Sequence, residues 1–126
     1  KNVVFKGEFK NEDKPEIYRE IDFINAIYGN KSLEVTTALP NRLYDGILFK
    51  KPIIASNLSV FKEIFTGDEI SMFDLDDEKS VPNAIERAFL EKEKLSRNAK
   101  LKYENVYSPD NFVSRYLAIY TKLLLE

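Results

Sequence analysis

Short apolar runs separated by polar turns fill the first half of the chain, and helix-period stripes fill the second. Val3, Val4 and Phe5 form a β-branched run without alternation, ended by Gly7, which is the pattern of a buried strand. Asn11 to Lys14 reads as a polar loop. Pro15 suits the first turn of a helix, with Asp13 as a candidate cap, and Ile17, Tyr18 and Ile21 share one face of it. Phe23, Ile24, Ala26 and Ile27 predict a second strand, followed by a Gly29-Asn30 turn signal. Lys31 to Leu39, with Thr36 and Thr37, has no clear period and reads as a loop. Pro40 opens a helix at its first position, where a missing N–H costs nothing, and Leu43, Tyr44, Ile47 and Leu48 form its apolar stripe. That helix ends near Phe49 to Lys51, where two lysines suit the negative end of the dipole.

Pro52 to Ala55 is a third strand, with proline at its first residue. Ser56 to Ser59 turns into a short helix through Phe61, Ile64 and Phe65. Gly67-Asp68 turns again, and Ile70, Met72 and Phe73 point to a fourth strand. Asp74 to Lys79 is an acidic loop of solvated residues at the start of a helix. Its acids could hold a divalent cation through oxygen, but it lacks the spacing and glycine of a calcium loop. Helices follow over 79–91, 92–105 and 109–125. The alternating charges at 91–102 mark a wet face. In the last helix Phe112, Tyr116, Ile119, Tyr120 and Leu123 lie at helical spacing, so Tyr116 and Tyr120, like Tyr18 and Phe23, read as packing aromatics. Alternating strands and helices predict an α/β fold: a Rossmann-like parallel sheet with helices on both faces. Such sheets bind ligands at the carboxyl ends of their strands, commonly at a helix N-terminus.

Composition narrows the chemistry. A chain of 126 residues is one domain with enough surface to bury for a core of its own. Nineteen basic against twenty-one acidic residues lack the clustered positive excess of a nucleic-acid binder. With neither cysteine nor histidine, disulfides, thiolate zinc sites, imidazole bases and serine–histidine triads are excluded. No apolar run approaches the roughly 18 to 20 residues of a membrane span and no signal peptide is visible, so a reducing cytoplasm is the expected compartment. The chain opens on Lys1 within an expected strand, which predicts that it begins inside a larger protein.

The informative stretch is Leu39 to Ser56, LPNRLYDGILFKKPIIAS. With Leu43 at zero and about 100° per residue, the apolar stripe centres near about 70°, while Asn41, Arg42 and Asp45 fall at roughly 160°, 260° and 200°. All three point away from the stripe, toward strand ends or solvent. A carboxylate one turn into a helix can accept hydrogen bonds from a vicinal diol, and the N–H groups of the helix start together with Arg42 can hold phosphate. A nucleoside diphosphate needs both. The plainer reading of the same residues is a surface i, i+3 ion pair between Arg42 and Asp45, worth little.

These segments together resemble the C-terminal half of the GT-B-fold, nucleotide-sugar-dependent glycosyltransferases of the glycan group 1 type. PEIYREIDFINAI at 15–27 is similar to the family's helix-strand segment ELPELYRxADVFV. Asp45 stands seven residues before Pro52, as the family's helix carboxylate stands before the proline of its PVIAS strand, here PIIAS. KEIF at 62–65, GDEISMFD at 67–74 and RYLAIYTKLL at 115–124 follow in the family's order, so that the resemblance covers nearly the whole chain.

The resemblance implies that residues 1–126 are a partial nucleotide-sugar-binding domain lacking the family's first two strand-helix units and its N-terminal acceptor domain. In the family those units lie between the strands corresponding to Val3–Phe5 and Phe23–Ile27, so unpaired strand edges and self-association are expected. It implies donor-binding roles for Asp45 at the ribose hydroxyls and Arg42 at the diphosphate, with Asn41 beside them. Gly7 to Phe9 match the loop that faces the base. The family often has a second glutamate eight residues upstream, near the donor sugar; Thr37 stands there, and Glu34 is out of register.

The implied partners are a nucleotide-diphosphate sugar and, through the absent domain, a glycan or lipid-linked acceptor, with no cofactor and no metal. The implied setting is bacterial surface polysaccharide synthesis, cytoplasmic or peripheral at the inner face of the membrane. The fragment alone is expected to be inactive. The rivals are a receiver-like interaction module, against which Lys6-Gly7 stands where an acidic pair is needed, and a silent nucleotide-binding homologue, which Thr37 keeps open.

Overall fold

The computed structural model describes residues 3–29 and 32–125. Asn30 and Lys31, part of the expected turn and loop, lie outside the described residues, as does the side chain of Thr36. The elements are α1 (Lys14–Glu20), β1 (Ile24–Ala26), α2 (Leu33–Thr37), α3 (Asn41–Leu48), β2 (Ile53–Ser56), α4 (Ser59–Ile64), β3 (Ser71–Phe73), α5 (Ser80–Leu90), α6 (Lys92–Lys102) and α7 (Pro109–Leu125), with a 3₁₀ turn at Asn11–Asp13 and a π turn at Tyr103–Tyr107. The sheet is open, three-stranded and parallel throughout, in the order β1-β2-β3. Helices flank it on both faces, as expected for an incomplete Rossmann-like fold.

Strand alternation separates the two faces. Ile24, Ala26, Ile53 and Ala55 join Tyr18, Leu43, Ile47, Phe61 and Ile70 in the larger core, under α1, α3, α4 and α6. Ile54 and Phe73 meet Ala84 and Ala88 of α5 on the other face, where Phe23 packs at the margin. Ser71 is fully buried there, and its hydroxyl donates to the Ala84 carbonyl at 2.8 Å. The central strand β2 is buried along its whole length.

α3 is seated unusually close to the sheet. Pro40 is its N-cap rather than its first residue, in extended conformation, and its carbonyl accepts the Leu43 N–H. Leu43, Gly46 and Ile47 are buried, whereas Tyr44 and Leu48, expected in the stripe, are exposed. The buried face is therefore rotated toward Gly46. A Cβ on Gly46 would come within 2.8 Å of the Ile53 side chain and 3.2 Å of that of Ile24. The helix ends with Lys50 at φ 53°, and the N–H groups of Lys50 and Lys51 turn back to the carbonyls of Ile47 and Gly46. This is a Schellman closure with lysine in the place glycine usually takes.

Four further expectations are corrected. Val3 to Phe5 form no strand: the segment has no regular structure, and Phe5 is 93% exposed. An apolar run becomes a strand only where a neighbour supplies the ladder, and none lies beside it among the described residues. Asp13 is the N-cap residue of α1 but its side chain makes no cap bond there; its carboxylate accepts the Lys10 N–H at 2.8 Å and closes the 3₁₀ turn before the helix. The loop expected at 31–39 contains α2, a single short helix too brief to show a period. Tyr116 and Tyr120 do not pack: α7 leaves the body after the π turn with no buried residue, and both rings are exposed. Periodicity identified its apolar face but not an occupant for that face. Among the described residues no helix is long and apolar enough to cross a membrane.

Gly46→Val is expected to lower stability by about 1–3 kcal/mol through overpacking against Ile53 and Ile24. Urea unfolding followed by circular dichroism measures this, and an unchanged midpoint would mean that α3 does not sit this close to the sheet.

Candidate functional site

A cleft of about 580 Å³ opens along the free edge of β1, between α1 and the start of α3. Asp45, Arg42 and Asn41 of α3 line it, together with Lys14 and Tyr18 of α1, Asn25 of β1, Tyr28 and Phe9. Local sequence explains each wall. β1 pairs on one side only, and the N–H of Ile24 goes to the Pro52 carbonyl at 2.9 Å. In a parallel ladder alternate residues face alternate neighbours, so Asn25 presents its backbone to the open edge. Arg42 meets it there: Nη1 donates to the Asn25 carbonyl at 3.0 Å, and the guanidinium lies 5.7 Å from the centre of the Tyr28 ring. Tyr28 is itself pinned by Ser56, whose buried hydroxyl accepts the Tyr28 N–H at 2.9 Å and donates to its carbonyl at 2.8 Å. The side chain of Ser56 thus continues the β1–β2 ladder past its last backbone pair.

The floor is the Asp45 carboxylate. Lys14 Nζ donates to both of its oxygens, at 2.9 and 3.1 Å, and the Tyr18 hydroxyl donates to Oδ2 at 2.9 Å. The ion pair is largely covered, with the Lys14 and Asp45 side chains 23% and 17% exposed. Tyr18 is buried and stacks flat on Phe49, centroid to centroid 4.6 Å. Burial, and then the hydrogen bond to Asp45, push its hydroxyl up to about 12.

The structure brings together Asp45, Arg42 and Asn41, three of the five residues expected at a donor site. It replaces the alternative of an Arg42–Asp45 surface pair: Asp45 binds Lys14, and Arg42 binds the edge of β1. Thr37 lies apart from this cleft, exposed, with its hydroxyl donating to the Leu33 carbonyl of its own helix at 2.7 Å. Gly7 lies on the outer side of α1, at φ 83°, in a separate hollow shared with Lys6 and Glu20. Phe9 lines both hollows. Sequence reading missed Lys14, Asn25, Tyr28 and Ser56 as site residues, and took Tyr18 for a packing aromatic alone. The acids of Asp74–Lys79 are exposed and serve the local turn: Asp74 accepts the Asp76 N–H and Asp77 accepts the Lys79 N–H, each at 3.0 Å.

Comparison of the chain with protein-family models, with curated proteins and with solved structures finds no match.

The Tyr18 hydroxyl gives the cleft a pH signature. Its folded-state pKa of about 12 lies above the ordinary 10, so its contribution is fully present below pH 10 and is lost as pH rises through 12. Tyr18→Phe removes that component. Urea unfolding at several pH values from 9 to 12 is expected to show wild-type protein losing on the order of 2 kcal/mol more than the variant over that window. Parallel curves for the two proteins would contradict the buried hydrogen bond.

Proposed function

We propose that the chain is the nucleotide-binding part of a glycosyltransferase. In the whole enzyme it holds the nucleoside diphosphate of an activated sugar, and the sugar passes to a glycan or lipid-linked acceptor in bacterial surface polysaccharide synthesis. The observation that carries this reading is a carboxylate on the polar face of α3, inside a cleft that also holds Arg42 one turn earlier on the same helix. The carboxylate suits the two hydroxyls of a ribose. The guanidinium and the first turn of α3 suit the diphosphate. Phe9, an apolar ring on the cleft's rim, suits the base.

In the proposed reaction the bond between the anomeric carbon and the diphosphate oxygen breaks as the acceptor oxygen bonds to that carbon. The negative charge that accumulates on the leaving diphosphate meets Arg42, an electrostatic role. The base that takes the acceptor's proton belongs to the acceptor domain in this proposal. The compartment proposed is the cytoplasm or the inner face of the membrane. The open edge of β1 makes self-association of the isolated chain part of the same proposal, and concentration-dependent light scattering would reveal it.

A second reading has its own support. Thr37, where the resemblance expects a carboxylate near the donor sugar, is exposed and bonded to its own helix. That favours a homologue that binds the nucleotide without transferring the sugar. Release of nucleoside diphosphate from a nucleotide sugar in the presence of acceptor separates the two.

Asp45→Asn is expected to weaken nucleoside and nucleoside diphosphate binding alike by roughly 10- to 100-fold, since hydrogen bonds to a charged group contribute on the order of 1.5–3 kcal/mol. Arg42→Met is expected to weaken the diphosphate more than the nucleoside. Calorimetry with both ligands reads the two roles, and Asp45→Asn protein that binds as wild type does would remove Asp45 from the site.

A further inference from the structure

We infer that Lys14 is an exchangeable counter-ion that makes this cleft select phosphorylated nucleosides over free ones; the inference rests on the reading of Asp45 as the ribose carboxylate. A carboxylate offers about four acceptor positions. Three are filled: Oδ2 accepts from Lys14 and from Tyr18, and Oδ1 accepts from Lys14. A vicinal diol brings two donors to the one position that is left, so one resident partner has to leave.

Tyr18 is the fixed partner. Its ring is buried and stacked on Phe49, and its hydroxyl cannot move without the ring. Lys14 is the movable one, a compact ammonium on a flexible four-carbon stem. Its departure has a consequence. An ammonium in a largely covered position is costly unless another anion meets it. A free nucleoside supplies no such anion, and a diphosphate does. Arg42 cannot serve as the whole phosphate clamp, because it is already committed to the Asn25 carbonyl and the face of Tyr28. Lys14 therefore passes from carboxylate to phosphate as the nucleotide enters, and only a phosphorylated ligand completes the exchange. Its place on α1, thirty-one residues from Asp45, explains why no motif signals it.

The test is calorimetric titration of the protein with adenosine, guanosine and uridine and with their 5′-diphosphates, in wild type, Lys14→Met and Lys14→Arg. Wild-type protein is expected to prefer the diphosphate of the base it accepts. Lys14→Met is expected to bind that diphosphate about tenfold more weakly while binding the nucleoside as well as or better than wild type, because the carboxylate is freed. Lys14→Arg is expected to keep the wild-type preference. If circular dichroism shows the Met variant unfolded, Lys14→Gln is titrated in its place with the same expectation. Unchanged preference in the neutral variant overturns the role of Lys14 alone. Wild-type protein that binds neither class of ligand overturns the nucleotide reading and this inference with it.

Discussion

The Asp45 carboxylate carries three hydrogen bonds and joins two helices that are distant in sequence. α1 lies beside the edge strand β1, where no further strand stands among the described residues, and this segment reaches the body through the Tyr18 ring on Phe49, the packing of Ile21 just after the helix and the Lys14–Asp45 bridge. A largely covered ion pair of this kind contributes little net free energy while both partners are present. Removal of one strands the other, and that loss is much larger. The Tyr18 ring and its bond to Asp45 hold α1 against the body, and the Lys14 bridge ties the same wall of the cleft to that carboxylate.

Two further polar ties complete the arrangement at the same edge. Arg42 covers the outward carbonyl of Asn25, and Ser56 holds Tyr28 in line with β2 by both its N–H and its carbonyl. Edge strands with free backbone groups invite pairing with other chains, and a charged side chain laid over the edge is one of the ways proteins limit it. Here the same guanidinium that covers the edge also faces the cleft. The close seating of α3, permitted by the missing side chain at Gly46, brings Arg42 and Asp45 over β1 in the first place.

Much of this fold was legible in the sequence, for local reasons. The strands at Ile24–Ala26, Ile53–Ser56 and Ser71–Phe73 are short apolar runs bounded by proline, glycine and aspartate, and both the runs and their punctuation are local signals. What the sequence could not reveal was long-range partnership. Val3 to Phe5 has the composition of a strand and stays irregular because none of the described residues pairs with it, and the stripe of α7 has the right period while none of its described residues is buried. For the site, helical spacing placed Asn41, Arg42 and Asp45 on one polar face, where they line the cleft. It carried no information on Lys14 and Tyr18, which α1 delivers from 31 and 27 residues away, nor on the separation of Thr37 and Gly7 from the cleft.

The central claim is that the cleft lined by Asp45 is where a nucleoside diphosphate binds. Amide chemical-shift mapping of the isotope-labelled chain, titrated with the 5′-diphosphates of adenosine, guanosine and uridine, tests it without assuming catalysis. The account predicts that one of them shifts the amides of residues 9–18, 24–28 and 41–46 together and leaves α5, on the opposite face of the sheet, unmoved. Saturable shifts confined to the α5 face, or none with any of the three, would contradict it.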